Sequence, residues 1–363
     1  MHIPDGYLSP STCAVAYAAA LPFWYTGLQR IKRLLQSRVV PLLAVVSAFS
    51  FVVMMFNLPI PGGTTAHAVG MGIAAIVLGP WAALLAVSIA LMIQALFFGD
   101  GGITAFGANC INMAIVGTLV SYGIYRLISA RAEIGSPRRV VAAAIAGYVA
   151  INASAFLAAC EFGLQPLLFT DATGAPLYAP YPLSIAIPSM MLAHMTIAGL
   201  AEAIITAGVV AYLQRSNPAL LQMTAGKGGR ASVSEGVATA GGWRGPRALW
   251  LGLGALMVAS PLGLLAAGTA WGEWGAADFR DAGMREQISQ ASANMAPPTR
   301  VPLGLEKLSS IWTAPMPDYA PSFMHDANFG YIMSAVIGAG LIILVCAGLS
   351  WLFGRRISGA TVA

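Results

Sequence analysis

The chain has 363 residues, of which 58% are hydrophobic and only 9% charged, with a mean hydropathy of +0.74. A soluble domain carries about 25% charged residues. A chain this poor in charge cannot clothe a surface facing water, which excludes soluble enzymes, nucleic-acid binders and disordered proteins and leaves a polytopic membrane protein. The formal charge of +5 is therefore a matter of orientation and carries no nucleic-acid signal.

The chain opens Met1-His2-Ile3-Pro4-Asp5-Gly6. It lacks the basic n-region of a signal peptide and carries an acid, so no cleavable signal is expected. A free amino terminus followed by His offers the α-amine, the His2 amide and imidazole Nδ1 in succession. The amine and amide close a five-membered chelate ring on a metal; the amide and Nδ1 close a six-membered one. Amide binding requires deprotonation, which Ni(II), Cu(II) and to a lesser degree Co(II) can drive, and such donor sets favour planar geometry. One further nitrogen completes a four-coordinate plane. Met1 should be retained, because the usual aminopeptidase trims Met only before small residues. Chance explains many Met-His starts. Here Pro4-Asp5-Gly6 reads as a tight turn that folds the terminus back.

A spanning helix needs about 20 mostly apolar residues. Candidate spans follow at about 11–28, 41–57, 66–79, 81–98, 107–128, 140–160 and 183–213, then at about 248–270 and 328–353. The third is short, and Gly79-Pro80 separates it from the fourth. The expected fold is all-α, a seven-helix bundle (1–213) plus two further transmembrane helices (within 248–356) around an outer loop at 271–327. With the N-terminus outside and the C-terminus inside, 15 of the 19 Lys and Arg residues fall on the inner side, as the positive-inside rule demands. Eleven of the 14 acids fall outside. Residues 214–247, rich in Gly, Ser and Ala, read as a flexible inner linker.

Polar residues are costly within a membrane, so the few present bear weighing singly. His67 ends Pro61-Gly62-Gly63-Thr64-Thr65-Ala66-His67, on the same outer side as His2. A lone His at a helix start is commonly a capped or water-bonded residue. Sharing a side with His2, in a chain with four histidines, makes it a candidate ligand. Thr64 or Thr65 is expected to cap the third span. A second Gly-rich loop, Gly99 to Gly107, leads into Asn109 and Asn112, which either orient His67 from behind or bond between helices. His194 and Glu202 lie about 12 Å apart along one face of the seventh span, too far to share a metal. They suit structural contacts or a relay. His325, beside Asp326, is expected to be solvated. Cys13, Cys110, Cys160 and Cys346 stand alone with no CxxC pair, as packing residues do. No GxxxxGK[ST] is present, so ATP hydrolysis, if it drives transport, belongs to another chain.

Met1 to Leu8, Gly62-Gly63-Thr64-Thr65-Ala66-His67, Phe98 to Thr104 with Gly107-Ala108-Asn109, and His194 with Glu202 together resemble the CbiM/NikM proteins. These are substrate-binding S components of energy-coupling factor importers for cobalt and nickel, and the resemblance spans roughly residues 1–220. It implies metal ligation by the Met1 amine, the His2 amide and imidazole, and His67. It also implies a transmembrane coupling (T) subunit and cytoplasmic ABC-type ATPase subunits as partners, a bacterial inner membrane as location, and no permanently bound cofactor. The last two spans resemble a fused small N component, the PDGLE domain, through Leu303-Gly304-Leu305-Glu306-Lys307 and Ala314 to Tyr319. Pro302-Leu303 departs from the Pro-Asp of that motif. Such fusions tilt the expectation from Co2+ toward Ni2+. A self-sufficient secondary cation transporter and an intramembrane metalloenzyme using His194 and Glu202 are the rival readings. Neither accounts for the Met-His start.

Overall fold

The computed structural model of the chain describes residues 1–35, 40–222, 224–225, 244–320 and 323–358. The first unit runs α1 (Pro10–Leu35), α2 (Val40–Met54), a hairpin of β1 (Leu58–Ile60) and β2 (Thr64–Ala66), then α3 (Met71–Leu78). It continues with α4 (Pro80–Phe98), α5 (Phe106–Ser129), α6 (Pro137–Leu168) and α7 (Leu183–Ser216). The second unit holds α8 (Arg244–Ala259), α9 (Ala282–Ala291), α10 (Leu303–Leu308) and α11 (Ala327–Ser358). Six of the described helices are long and apolar enough to cross a membrane: α4, α5, α6, α7, the Arg247–Leu265 stretch and the Ala327–Leu352 stretch. The chain is a multi-pass, mostly helical membrane protein.

Helix boundaries follow local chemistry. Pro80 and Pro137 stand in the first turns of α4 and α6, where a missing N–H costs nothing. The Ser136 side chain accepts from the Arg138 N–H and caps α6. Long apolar runs then propagate each helix, and lipid-facing Leu127, Leu164, Leu200 and Ile204 remain exposed on the bundle's outside.

The stretch at 66–79 departs from a simple spanning helix. Only Met71–Leu78 is helical, about 12 Å of helix against a hydrocarbon core of about 30 Å. Ahead of it residues 67–70 have no regular secondary structure, and their N–H groups lack a helical ladder. Irregular backbone at such depth is tolerated only inside protein and with its polar groups satisfied. Glu202 of α7 meets that need. Its carboxylate accepts from the N–H groups of Val69 (2.9 Å), Gly70 (2.8 Å) and Gly72 (3.1 Å). Thr64 and Thr65 do not cap the helix either. They lie in β2, which pairs antiparallel with β1, and the residue before α3 is Gly70 in a left-handed conformation (φ 74°).

At the inner end Arg139 is fully buried. Its guanidinium donates to the carbonyls of Ala132, Glu133 and Ala225 and to the Tyr125 hydroxyl. The segment after α7 is accordingly docked at its start. Ala219–Gln222 form a helical turn, and the Thr224 hydroxyl donates to the Ile76 carbonyl at 2.5 Å. The remainder of the expected linker, 226–243, lies outside the described residues.

In the second unit, α8 and α11 pack against α2. The outer loop between them lies over the outer end of the first unit. Trp312 donates from its indole to the Leu96 carbonyl, the Met316 N–H to Phe97, and the Gly304 N–H to Leu177.

Candidate metal site

The amino terminus is threaded into the protein. Met1, His2 and Ile3 are all buried, with exposures of 2%, 1% and 0%. Pro4-Asp5-Gly6-Tyr7 makes the turn, closed by the Tyr7 N–H to Pro4 carbonyl bond at 3.4 Å, with Gly6 at φ 90°. That turn is clamped on both sides. Asp5 accepts from the N–H groups of Ile103 and Thr104 at 3.1 and 2.7 Å, and from the Thr104 hydroxyl. Tyr7 donates its hydroxyl to the Trp274 carbonyl at 2.8 Å. A side chain at Gly6 would meet the Gly304 carbonyl oxygen at 2.5 Å, so close backbone approach fixes glycine there.

Ile3 is held as a strand would be. Its N–H donates to Asn109 Oδ1 at 2.8 Å, while its carbonyl accepts from Asn109 Nδ2 at 3.1 Å and from the Gly102 N–H at 2.8 Å. Asn109 therefore positions the terminus by gripping Ile3. Asn112, one turn on, donates instead to Glu161 at 2.7 Å and does not join the site.

His2 and His67 come together. Their rings stack with centroids 5.0 Å apart and 28° between planes. His67 is 4% exposed, and its Nδ1 lies 3.0 Å from the Ala68 carbonyl oxygen. A carbonyl can only accept, so Nδ1 carries the proton and Nε2 presents a lone pair. That Nε2 has no hydrogen-bond partner, and neither ring nitrogen of His2 has an aligned one. Asp100 Oδ1 lies 2.9 Å from His2 Nδ1 but off the line of a hydrogen bond. Buried nitrogens without partners are costly, and a cation in their midst would remove that cost. The Met1 α-ammonium donates to Glu273 Oε1 at 3.1 Å.

Three carboxylates thus surround the terminus, and only Asp5 belongs to it in sequence. Asp100 is braced by the Gln94 amide at 3.1 Å and by the Tyr319 hydroxyl at 2.5 Å. Burial alone would raise its carboxyl. The neighbouring His2, with His67 and the Tyr319 hydroxyl, outweighs burial and holds it well below the usual carboxylate range. Tyr319 is pushed the other way, by burial and by Asp100 itself.

Other sequence candidates fall elsewhere. Thr64 and Thr65 are buried in the hairpin next to His67 without bonding it. His194 and Glu202 do not bond one another, and Glu202 holds the 69–72 backbone. His325 is exposed. Asp100, Gln94, Glu273 and Tyr319 were not among the candidates. Asp100 had a signal, an acid inside a Gly-rich loop ahead of Asn109. Glu273 and Tyr319 had none, because their partners are more than 200 residues away. Among the described residues, no group of three or more His, Cys, Asp or Glu side chains is arranged to hold a metal ion.

The profile of a family described as "Cobalt uptake substrate-specific transmembrane region" (CbiM) matches residues 2–220, and that of the PDGLE domain matches residues 246–355. A fused nickel transport protein, NikMN, of Rhodobacter capsulatus is 58% identical over 98% of both chains. A probable fused nickel transport protein, LarMN, of Lactiplantibacillus plantarum is 40% identical over 96% of this chain and 97% of its own. A crystal structure of a truncated transition metal transporter is similar at a TM-score of 0.55 and 55% identity, covering 59% of this chain and 98% of that one. With a family match over more than half its length and relatives along nearly all of it, the chain belongs to the CbiM family, in the form that carries a PDGLE domain on the same polypeptide.

Proposed function

We propose that the chain is the metal-capturing membrane subunit of an importer for a divalent transition metal, Ni2+ ahead of Co2+. It takes the ion at its outer face through the Met1 amine, the His2 amide and Nδ1, and His67 Nε2. The observation that carries this reading is the stacked, buried His2–His67 pair, in which both His2 ring nitrogens and His67 Nε2 lack aligned hydrogen-bond partners and which adjoins a buried α-amine. Four nitrogens from two residues and one loop His suit a planar ion. Capture must release protons from the amine and the amide, so affinity rises with pH. The excess of acids outside favours approach of a cation.

Nickel is favoured because the relatives that share the full two-unit length are named for nickel transport. Importers of this type draw on ATP hydrolysis, and no phosphate-binding loop lies in this sequence. The coupling subunit and ATPases are accordingly separate chains, and this subunit is not an enzyme. The engagement of Glu202 with three backbone N–H groups tells against an intramembrane enzyme built on it.

Adding one residue before Met1 tests the reading, because it turns the α-amine into an amide and moves the free amine out of chelate range. Titration of the purified chain with Ni2+ should then show loss of tight binding, as should His67→Ala, with the helical fold retained in both. Normal binding by the extended chain would refute the chelate.

A further inference from the structure

His194 is the one histidine whose burial the capture site does not explain. It is 2% exposed and opens a π-helical turn, His194–Ala198, in the middle of α7. Such turns interrupt a regular helix at a cost and concentrate at functional positions. The turn packs against both strands of the β1–β2 hairpin, whose second strand ends at Ala66, next to His67.

Its protonation pattern repeats that of His67. Nδ1 lies 2.8 Å from the Met190 carbonyl oxygen, so Nδ1 carries the proton. Nε2 is left as a lone pair, buried and without a hydrogen-bond partner. A histidine serving only as glue between helices would spend both nitrogens on bonds. This one is fixed by one nitrogen and offers the other, the arrangement of a metal-ligating imidazole oriented by a backbone carbonyl.

From this geometry we infer that His194 Nε2 is a transit ligand for the divalent metal cargo, receiving the ion from the Met1–His2–His67 cluster beside the hairpin. The inference rests on the capture reading above. One imidazole nitrogen gives a weak station, which suits transfer: an ion must be able to leave it. The hairpin, which packs on the His194 turn and leads into His67, is the element whose movement would shift the ion from one to the other.

Two substitutions separate ligation from structure. His194→Asn keeps an N–H to donate to the Met190 carbonyl but has no imidazole lone pair. His194→Met loses that donor but offers a thioether sulfur as a ligand atom. Uptake of Ni2+ should be measured in cells producing the full chain with its coupling and ATPase subunits, and Ni2+ binding with the purified chain. Ligation predicts uptake lowered about tenfold or more in His194→Asn, recovered in large part in His194→Met, with tight binding intact in both. Equal uptake by wild type and His194→Asn would overturn the proposal. So would good uptake by His194→Asn with poor uptake by His194→Met, which is the pattern of a structural hydrogen bond. Loss of tight binding in His194→Asn would also overturn it, by placing His194 in the capture set. A His67→Ala control that still binds tightly would mark failure of the capture reading itself.

Discussion

Two residues set the terminus, Asn109 by gripping Ile3 and Asp100 by facing His2. Asn109→Ala removes both side-chain bonds to Ile3, at about 1 kcal/mol each and more if the Ile3 amide stays buried unpaired. The expected result is a weaker Ni2+ affinity with a melting temperature lowered by a few degrees, read by titration and thermal unfolding. Asp100 carries a pH signature. Its carboxyl is held below the ordinary range by His2 in the folded state. Its contribution is therefore present above the ordinary carboxylate pKa of about 4 and is lost only as pH falls through the lower folded value. Fluorescence of Trp274, whose carbonyl receives the Tyr7 hydroxyl, should stay native down through pH 4 in wild type. In Asp100→Asn that contribution is missing at neutral pH, so the variant should unfold at a lower temperature than wild type there, and the difference should close at acid pH. The meeting of His2 with His67 was legible in the sequence. Histidines are so rare in the chain that two on one side stood out, and a His after a free amine has a defined chelate chemistry. Of the acids around them, Glu273 was not legible, because a charge partner 272 residues away leaves no spacing in the sequence.

Among the elements, the irregular stretch before α3 decides where His67 sits. Three N–H groups there depend on one carboxylate, and each would cost about 1–3 kcal/mol if left buried and unpaired. Glu202→Ala should therefore lower stability severely, while Glu202→Gln, which keeps one accepting oxygen, should retain the fold with a reduced melting temperature. Helix existence was readable from apolar runs, and the positive-inside count gave each helix a direction. The hairpin was not readable, since its strands are 3 residues each and two or three residues cannot establish a period. Thr64 and Thr65 looked like caps for the same reason. A Thr ahead of an apolar run is a capping signal only when the run begins the helix, and here Ala66 to Gly70 intervene. Glu202 read as an isolated intramembrane acid because backbone N–H groups, its actual partners, have no letter in a sequence.

At the scale of the molecule, the second unit reaches across to complete the surroundings of the terminus, with Glu273 on the Met1 amine and Tyr319 on Asp100. The close seam at Gly6 and Gly304 is its tightest point. A side chain at Gly304 would lie 2.3 Å from the Gly6 carbonyl oxygen, and such overpacking costs about 1–3 kcal/mol. Gly304→Ala should loosen the outer loop and speed hydrogen exchange at the Gly102 and Ala179 amides, which donate to Ile3 and Tyr7, while exchange in the core of α6 stays unchanged.

If the terminus supplies an amide nitrogen to a planar site, the magnetism of the Ni2+-loaded full chain reads it out. Four nitrogens in a plane including a deprotonated amide predict a diamagnetic, low-spin ion. A paramagnetic, six-coordinate Ni2+ bound with the same affinity would contradict it.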